Sequence, residues 1–125
     1  MIELSKAEFA VMDALWQGHP AKAADIIHRL SDQTEWHEKT IKTLLGRLVK
    51  KHAVAFEKEG REYVYHPLIA KDEYTLKASR NFLAHFFNGQ LSPLISGFAK
   101  QKELNQEDIN ELKKIIEDWE KQQGE

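Results

Sequence analysis

At 125 residues the chain is one domain or a small domain with an appendage, and its formal charge of −2 by itself argues against a nucleic-acid protein. It has no cysteine, which excludes disulfides, thiolate zinc sites and cysteine redox sensing. No hydrophobic run is long enough to span a bilayer, and the amino terminus lacks the basic-then-apolar pattern of a signal peptide, so a cytoplasmic protein with no membrane partner is expected.

Leu4-Ser5-Lys6-Ala7-Glu8-Phe9 predicts a helix start: Ser5 caps, Glu8 completes a capping box and Leu4 staples against Phe9. This first helix runs to about Gln17 with Phe9, Met12, Leu15 and Trp16 inward, and Gly18-His19-Pro20 ends it. A second helix over about Lys22 to Leu30 buries Ala23, Ile26, Ile27 and Leu30. A polar connection follows, which Trp36 plugs onto the core. In the third predicted helix, about 38–51, Ile41, Leu44, Leu45, Leu48 and Val49 form one stripe at about 100° per residue. Lys39, Thr43, Arg47 and Lys50 project from the other side, and Glu38 sits where the helix dipole favours an anion. Gly46 also lies on that side. It reads equally as a point of close DNA backbone approach or as a tolerated surface glycine.

Alternation at Val54, Phe56 and Lys58, and again at Tyr63 and Tyr65, predicts a hairpin. Glu59-Gly60 is read as its two-residue turn, with Lys58 and Arg61 flanking the tip. Beyond Pro67-Leu68 come three amphipathic helices. The first, about Lys71 to Asn88, carries Tyr74, Leu76, Phe82, Leu83, Phe86 and Phe87. The second, about Pro93 to Gln101, presents Leu94, Ile95 and Phe98. The last is capped by Asn105 and bears Ile109, Leu112, Ile115, Ile116 and Trp119. So small a helical piece without cysteine or a metal motif calls for a partner chain. Residues 70–125 are therefore expected to form a dimerisation domain and those apolar residues its interface. The competing reading folds them back on the amino-terminal core within a monomer.

The charge is unevenly placed. Residues 1–35 sum to −3, whereas residues 36–61 carry seven cations against three anions, a net +4. A local field of that sign attracts phosphates whatever the total charge. A helix followed by a basic-tipped ribbon is the layout of a winged helix-turn-helix, here assigned to residues 1–69, in which one helix enters the major groove. The expected fold is mainly α with a small β-wing, and the expected partners are double-stranded DNA and a second copy of the chain.

Several blocks resemble the penicillinase, methicillin-resistance and copper-responsive repressor family (BlaI/MecI/CopY). They are Ser5 to Glu8 with Val11-Met12 and Leu15-Trp16; Trp36-x-x-Lys39-Thr40-Ile41-Lys42-Thr43-Leu44-Leu45-x-Arg47-Leu48; and Gly60-Arg61-x-Tyr63-x-Tyr65-x-Pro67-Leu68. Phe82-Leu83 with Phe86-x-x-Gly89, and Leu104-x-x-Glu107-x-Ile109-x-x-Leu112, fit as well. Order and spacing together make the resemblance specific over almost the whole chain. It implies a homodimeric winged-helix repressor that occupies an inverted repeat, typically with TACA/TGTA half-sites. Lys39, Thr40, Lys42, Thr43 and Arg47 carry over by position as groove and phosphate contacts, and Arg61 as a wing contact. Lys50 and Lys58 rest on helix angle and turn position alone.

The chain departs from the family at several points. The β-lactam-responsive members are inactivated by cleavage at an Asn-Phe bond; here the corresponding pair is Gly97-Phe98. The copper-responsive members use a cysteine-rich tail, absent here. His52 stands where the family often has a glycine after the basic pair, and His37 replaces the capping serine after Trp36. Scattered histidines make no ligand-spaced set, so neither metal nor cofactor is expected. Protonation of His37 and His52 in mildly acidic solution is expected to strengthen phosphate binding. No nucleophile elbow, phosphate loop or paired-carboxylate pattern suggests an enzyme. The main rival is a winged-helix module for protein–protein contact whose basic strip is merely solvated. The regulated genes, the inducing signal and any sensor or protease partner are not encoded in a readable way.

Overall fold

A computed structural model gives the fold and describes residues 2–124. The chain divides into two compact units, Met1–Leu76 and Lys77–Glu125.

The first unit begins with α1 (Lys6–Trp16), which starts as its sequence dictates. The Ser5 hydroxyl accepts from the Glu8 N–H at 3.1 Å, and the Glu8 carboxylate accepts from the Ser5 N–H at 2.7 Å. At its far end the Arg29 guanidinium donates to the Ala14 and Gly18 carbonyls, at 2.9 and 2.7 Å. Two acceptors near the end of α1 are thereby satisfied from the next helix. Strand β1 (Ala21–Lys22) leads directly into α2 (Ala23–Leu30). Sequence reasoning missed this strand, since two residues are too few to display a period. α3 (Glu38–Lys50) follows, then β2 (Val54–Glu59) and β3 (Glu62–Pro67). The sheet is antiparallel in the order β1-β3-β2, with Ala21 opposite Tyr65 and Phe56 opposite the same residue on the other side.

One apolar core joins these elements. Val11, Met12, Leu15, Ile26, Leu30, Ile41, Leu45, Leu48 and Val54 are almost fully buried, with Trp36, Val49 and Tyr65 packed around them. Burial of such side chains contributes roughly 1.5–3 kcal/mol each before conformational entropy is counted.

The hairpin register corrects the sequence reading. Glu59 pairs with Glu62, so the two loop residues are Gly60 and Arg61, not Glu59 and Gly60. Gly60 has φ +65, as the first position of a two-residue Gly-X hairpin loop requires. Arg61 therefore forms part of the tip, while Lys58 lies within the strand opposite Tyr63.

α4 (Lys71–Phe87) begins in the first unit and continues past Leu76, so the division lies later than the 69/70 boundary read from sequence. Its first turn is tied to α1. Lys71 pairs with Asp13 at 2.8 Å, and the Trp16 indole donates to the Ile69 carbonyl at 3.0 Å. The Tyr74 ring lies 6.0 Å from that of Phe9, and its hydroxyl accepts from the Leu4 N–H. Tyr74, expected at the dimer interface, is thus engaged by the first unit; nothing in its local spacing reveals a partner seventy residues away.

The second unit holds the rest of α4, α5 (Ser92–Lys100) and α6 (Gln106–Gln123), close to the expected bounds. Asn105 caps α6, its side chain accepting from the Asp108 N–H at 2.7 Å. None of these three helices contains a fully buried residue.

Candidate nucleic-acid interface

α3 positions the candidate site. Its N-cap is His37, whose Nδ1 accepts from the Lys39 N–H at 3.1 Å, so a neutral imidazole does the work of the missing serine. At the other end Lys51 is the C-cap and His52 adopts φ +64. The Ala53 N–H bonds the Leu48 carbonyl and the His52 N–H bonds that of Val49, a complete Schellman closure built without glycine.

Between these ends the helix is two-faced. Ile41, Leu44, Leu45 and Leu48 are buried, whereas Lys39, Thr40, Lys42, Thr43, Gly46, Arg47 and Lys50 are exposed. Lys39, Thr40, Thr43 and Arg47 come together around a shallow depression of about 300 Å³ floored by Leu44. The Thr43 hydroxyl donates back to the Lys39 carbonyl at 2.9 Å, which leaves its oxygen lone pairs and methyl for a ligand. A Cβ built on Gly46 would meet nothing within 4 Å, so no protein packing explains this glycine.

A second hollow, of about 410 Å³, lies between the start of α2, the first turns of α3 and the wing. Lys22, Lys42 and Arg61 line it, together with the aromatic rings of Tyr63 and Tyr65. Lys22 is held by Glu62 at 2.6 Å, and that carboxylate raises the ammonium pKa. Lys42 has a looser 3.5 Å pairing with Glu38 one turn back, the kind of exposed pair worth a few tenths of a kcal/mol and readily given up. Thus α3 and Arg61 share one cleft, while Lys58 stands on the aromatic face of the wing, where Phe56 and Tyr63 meet edge-on at 5.0 Å.

Not every cation of the basic segment is available. The Lys51 ammonium bonds the Glu8 carboxylate at 2.6 Å and the Glu3 carbonyl at 2.8 Å. Glu8 is only 2% exposed. Burial pushes its carboxyl pKa up most strongly, but hydrogen bonds from Lys51 and Ser5 and the Lys51 charge together bring it below its ordinary value.

The interface residues proposed for the second unit separate into two groups. Leu83, Phe87, Leu94, Ile95, Ile109 and Leu112 are half-buried. Phe82, Phe86, Phe98, Ile115, Ile116 and Trp119 are exposed, Phe86 by 64% and Trp119 by 60%. Phe82 and Phe86 stack obliquely at 5.0 Å, and an apolar hollow of about 380 Å³ opens beside Phe82, Leu83, Leu91 and Leu94. Gly97 and Phe98 lie within α5.

Residues 4–118 match the family described as penicillinase repressor. The penicillinase repressor of Bacillus licheniformis is 39% identical over 116 residues, which cover 93% of this chain and 91% of the relative. The methicillin resistance regulatory protein MecI of Staphylococcus aureus is 33% identical over 114 residues, 91% of this chain and 93% of the relative. The solution structure of the DNA-binding domain of the repressor BlaI superposes with TM-score 0.53 at 40% identity, covering 58% of this chain and 89% of that one. The Bacillus licheniformis BlaI monomeric form in complex with the blaP half-operator gives TM-score 0.52 at 40% identity, covering 59% and 92%.

Proposed function

Because the chain belongs to the penicillinase repressor family, we propose that it is a DNA-binding transcriptional repressor, not an enzyme, and that it occupies an inverted-repeat operator as a homodimer. The observation that carries this reading is the outer face of α3. Lys39, Thr40, Thr43 and Arg47 surround one depression, and no packing requirement accounts for the bare Gly46 in their midst. Arginine and lysine bond guanine edges or phosphates, and threonine offers a methyl to thymine. With α3 in the major groove, Lys42 and Arg61 meet the phosphate strand that passes between helix and wing, and Lys50 and Lys58 extend the cationic track. Repression is then steric: the bound protein excludes polymerase.

The exposed aromatic and aliphatic side chains of α4, α5 and α6 support the second copy. Exposed apolar side chains in this number are expected to be covered in solution, and a two-fold axis would both cover them and present two reading helices to two half-sites. Release by cleavage at Gly97–Phe98 is not part of this reading. The asparagine is missing, and the bond lies inside a helix that a protease would have to unwind.

A salt titration of duplex binding tests the function. Phosphate contacts make log affinity fall against log salt with a slope of about −0.9 per contact. Duplex affinity too weak to measure at about 50 mM salt would establish the protein–protein module in its place.

A further inference from the structure

We propose that Lys51 is a positioning residue for DNA recognition: its ammonium, clasped by Glu8 and the Glu3 carbonyl, fixes the carboxy-terminal end of α3 against α1 and does not contact phosphate. The inference rests on the function proposed above and assigns a residue that the basic composition of the segment disguises. Lys50 and Lys51 are adjacent and look interchangeable in sequence, but their surroundings differ. Lys50 is exposed on the outer side of the helix. Lys51 instead reaches Glu8 Oε1 at 2.6 Å and the Glu3 carbonyl at 2.8 Å.

The receiving group is built into the fold. Glu8 is a buried charged residue in an otherwise apolar core, and the oxygen that accepts from Lys51 also accepts from the Ser5 N–H at 2.7 Å. The capping box that starts α1 is therefore the anchor for the end of α3. The other residues these helices place in the shared core, Val11, Met12, Leu15, Leu44, Leu45 and Leu48 among them, are apolar, and their burial is non-directional and permits small rotations. A charged hydrogen bond is directional, and it acts beside Lys50 and one turn from Arg47. Loss of the strap frees the helix end that must hold Arg47 in register with a base edge, and tolerance for such misplacement is below about 1 Å.

The test compares Lys51→Met, Lys51→Arg, Lys50→Ala and Glu8→Gln in the full chain, at a temperature where circular dichroism shows all four folded. The probes are the duplex that the wild-type chain selects from a randomised pool and a scrambled duplex. Lys51→Met is expected to weaken binding to the selected duplex about tenfold, the equivalent of roughly one well-made base contact, and to narrow the ratio to the scrambled duplex. Its salt slope should equal that of wild type, and Lys51→Arg should restore most of the affinity. Lys50→Ala should weaken both duplexes alike and lower the slope by about 0.9. Glu8→Gln keeps an oxygen for the Ser5 N–H but lacks the charge. It should reproduce Lys51→Met in kind and carries the comparison should that variant unfold. A slope reduced in Lys51→Met would make Lys51 a phosphate contact and overturn the proposal. So would wild-type affinity and selectivity accompanied only by a lower melting temperature. Failure of the wild type to select any duplex would sink the proposed function, and this assignment with it.

Discussion

The two units bury apolar surface to very different extents. In the first, Val11, Leu15, Ile26, Leu45 and Leu48 are shielded completely by α1, α2, α3 and the sheet. In the second, α5 and α6 contain no buried residue, and Phe86, Ile115, Ile116 and Trp119 are more than half exposed. The contrast separates two tasks. On the proposed function, the first unit must hold an array of side chains in register and needs its own closed core, whereas the second, if it pairs, can leave its apolar surface for a second chain. Small helical pieces without disulfide or metal follow the second course.

The largest expected effect comes from attacking the proposed pairing surface. Phe86→Asp or Ile115→Asp should dissociate the dimer and lower operator affinity by about 10²-fold or more, while the first unit keeps its fold. Sedimentation and duplex titration read the two consequences separately, and Asp variants that remain dimeric would remove these residues from the interface. On the recognition side, Arg47→Ala should cost about 1–3 kcal/mol if it reads a base and should relax preference at one position per half-site. Binding to a panel of singly altered duplexes measures this.

A third experiment concerns the core of the first unit. Because the Glu8 carboxyl pKa is lowered in the folded protein, its share of stability is present above the ordinary carboxylate range and disappears as the solution is acidified through the lowered folded-state pKa. Denaturant midpoints between about pH 3 and 7 should fall more steeply for wild type than for Glu8→Gln. Identical curves would show that the Glu8 strap contributes nothing to acid sensitivity. The smallest effect compares left-handed closures in the two units. His52 and Lys102 both adopt positive φ, at +64 and +58, where glycine is unstrained. Each replacement by glycine should stabilise by about 0.5–1 kcal/mol, the relief of strain exceeding the extra entropy of the unfolded chain. His52→Gly should raise the transition of the first unit, and Lys102→Gly should act on the second, both followed by thermal melts.

What could be read from sequence follows a physical division. Ser5 with Glu8, the stripe from Ile41 to Val49 and the Asn105 cap announce themselves because each is decided within one or two helical turns. The same holds for the outer strip of α3, which is simply the complement of the buried stripe. Long-range choices were hidden. The β1 strand exists only because β3 runs beside it, and Tyr74 and Lys51 are claimed by Leu4, Phe9 and Glu8 across large sequence separations. The hairpin turn was misplaced by one residue because Glu59-Gly60 and Gly60-Arg61 both put the glycine in the loop, and only pairing back to Val54 opposite Pro67 distinguishes them.

The two residues of β1 have a mechanical consequence. Ala21 and Lys22 are hydrogen-bonded to β3 and run straight into α2, and Lys22 is latched to Glu62 beside the ribbon tip. The ribbon is thereby braced against the helical scaffold before any duplex arrives. If ribbon and α3 straddle the duplex as proposed, their separation acts as a preset calliper, and little ordering entropy is lost when its jaws close on a strand.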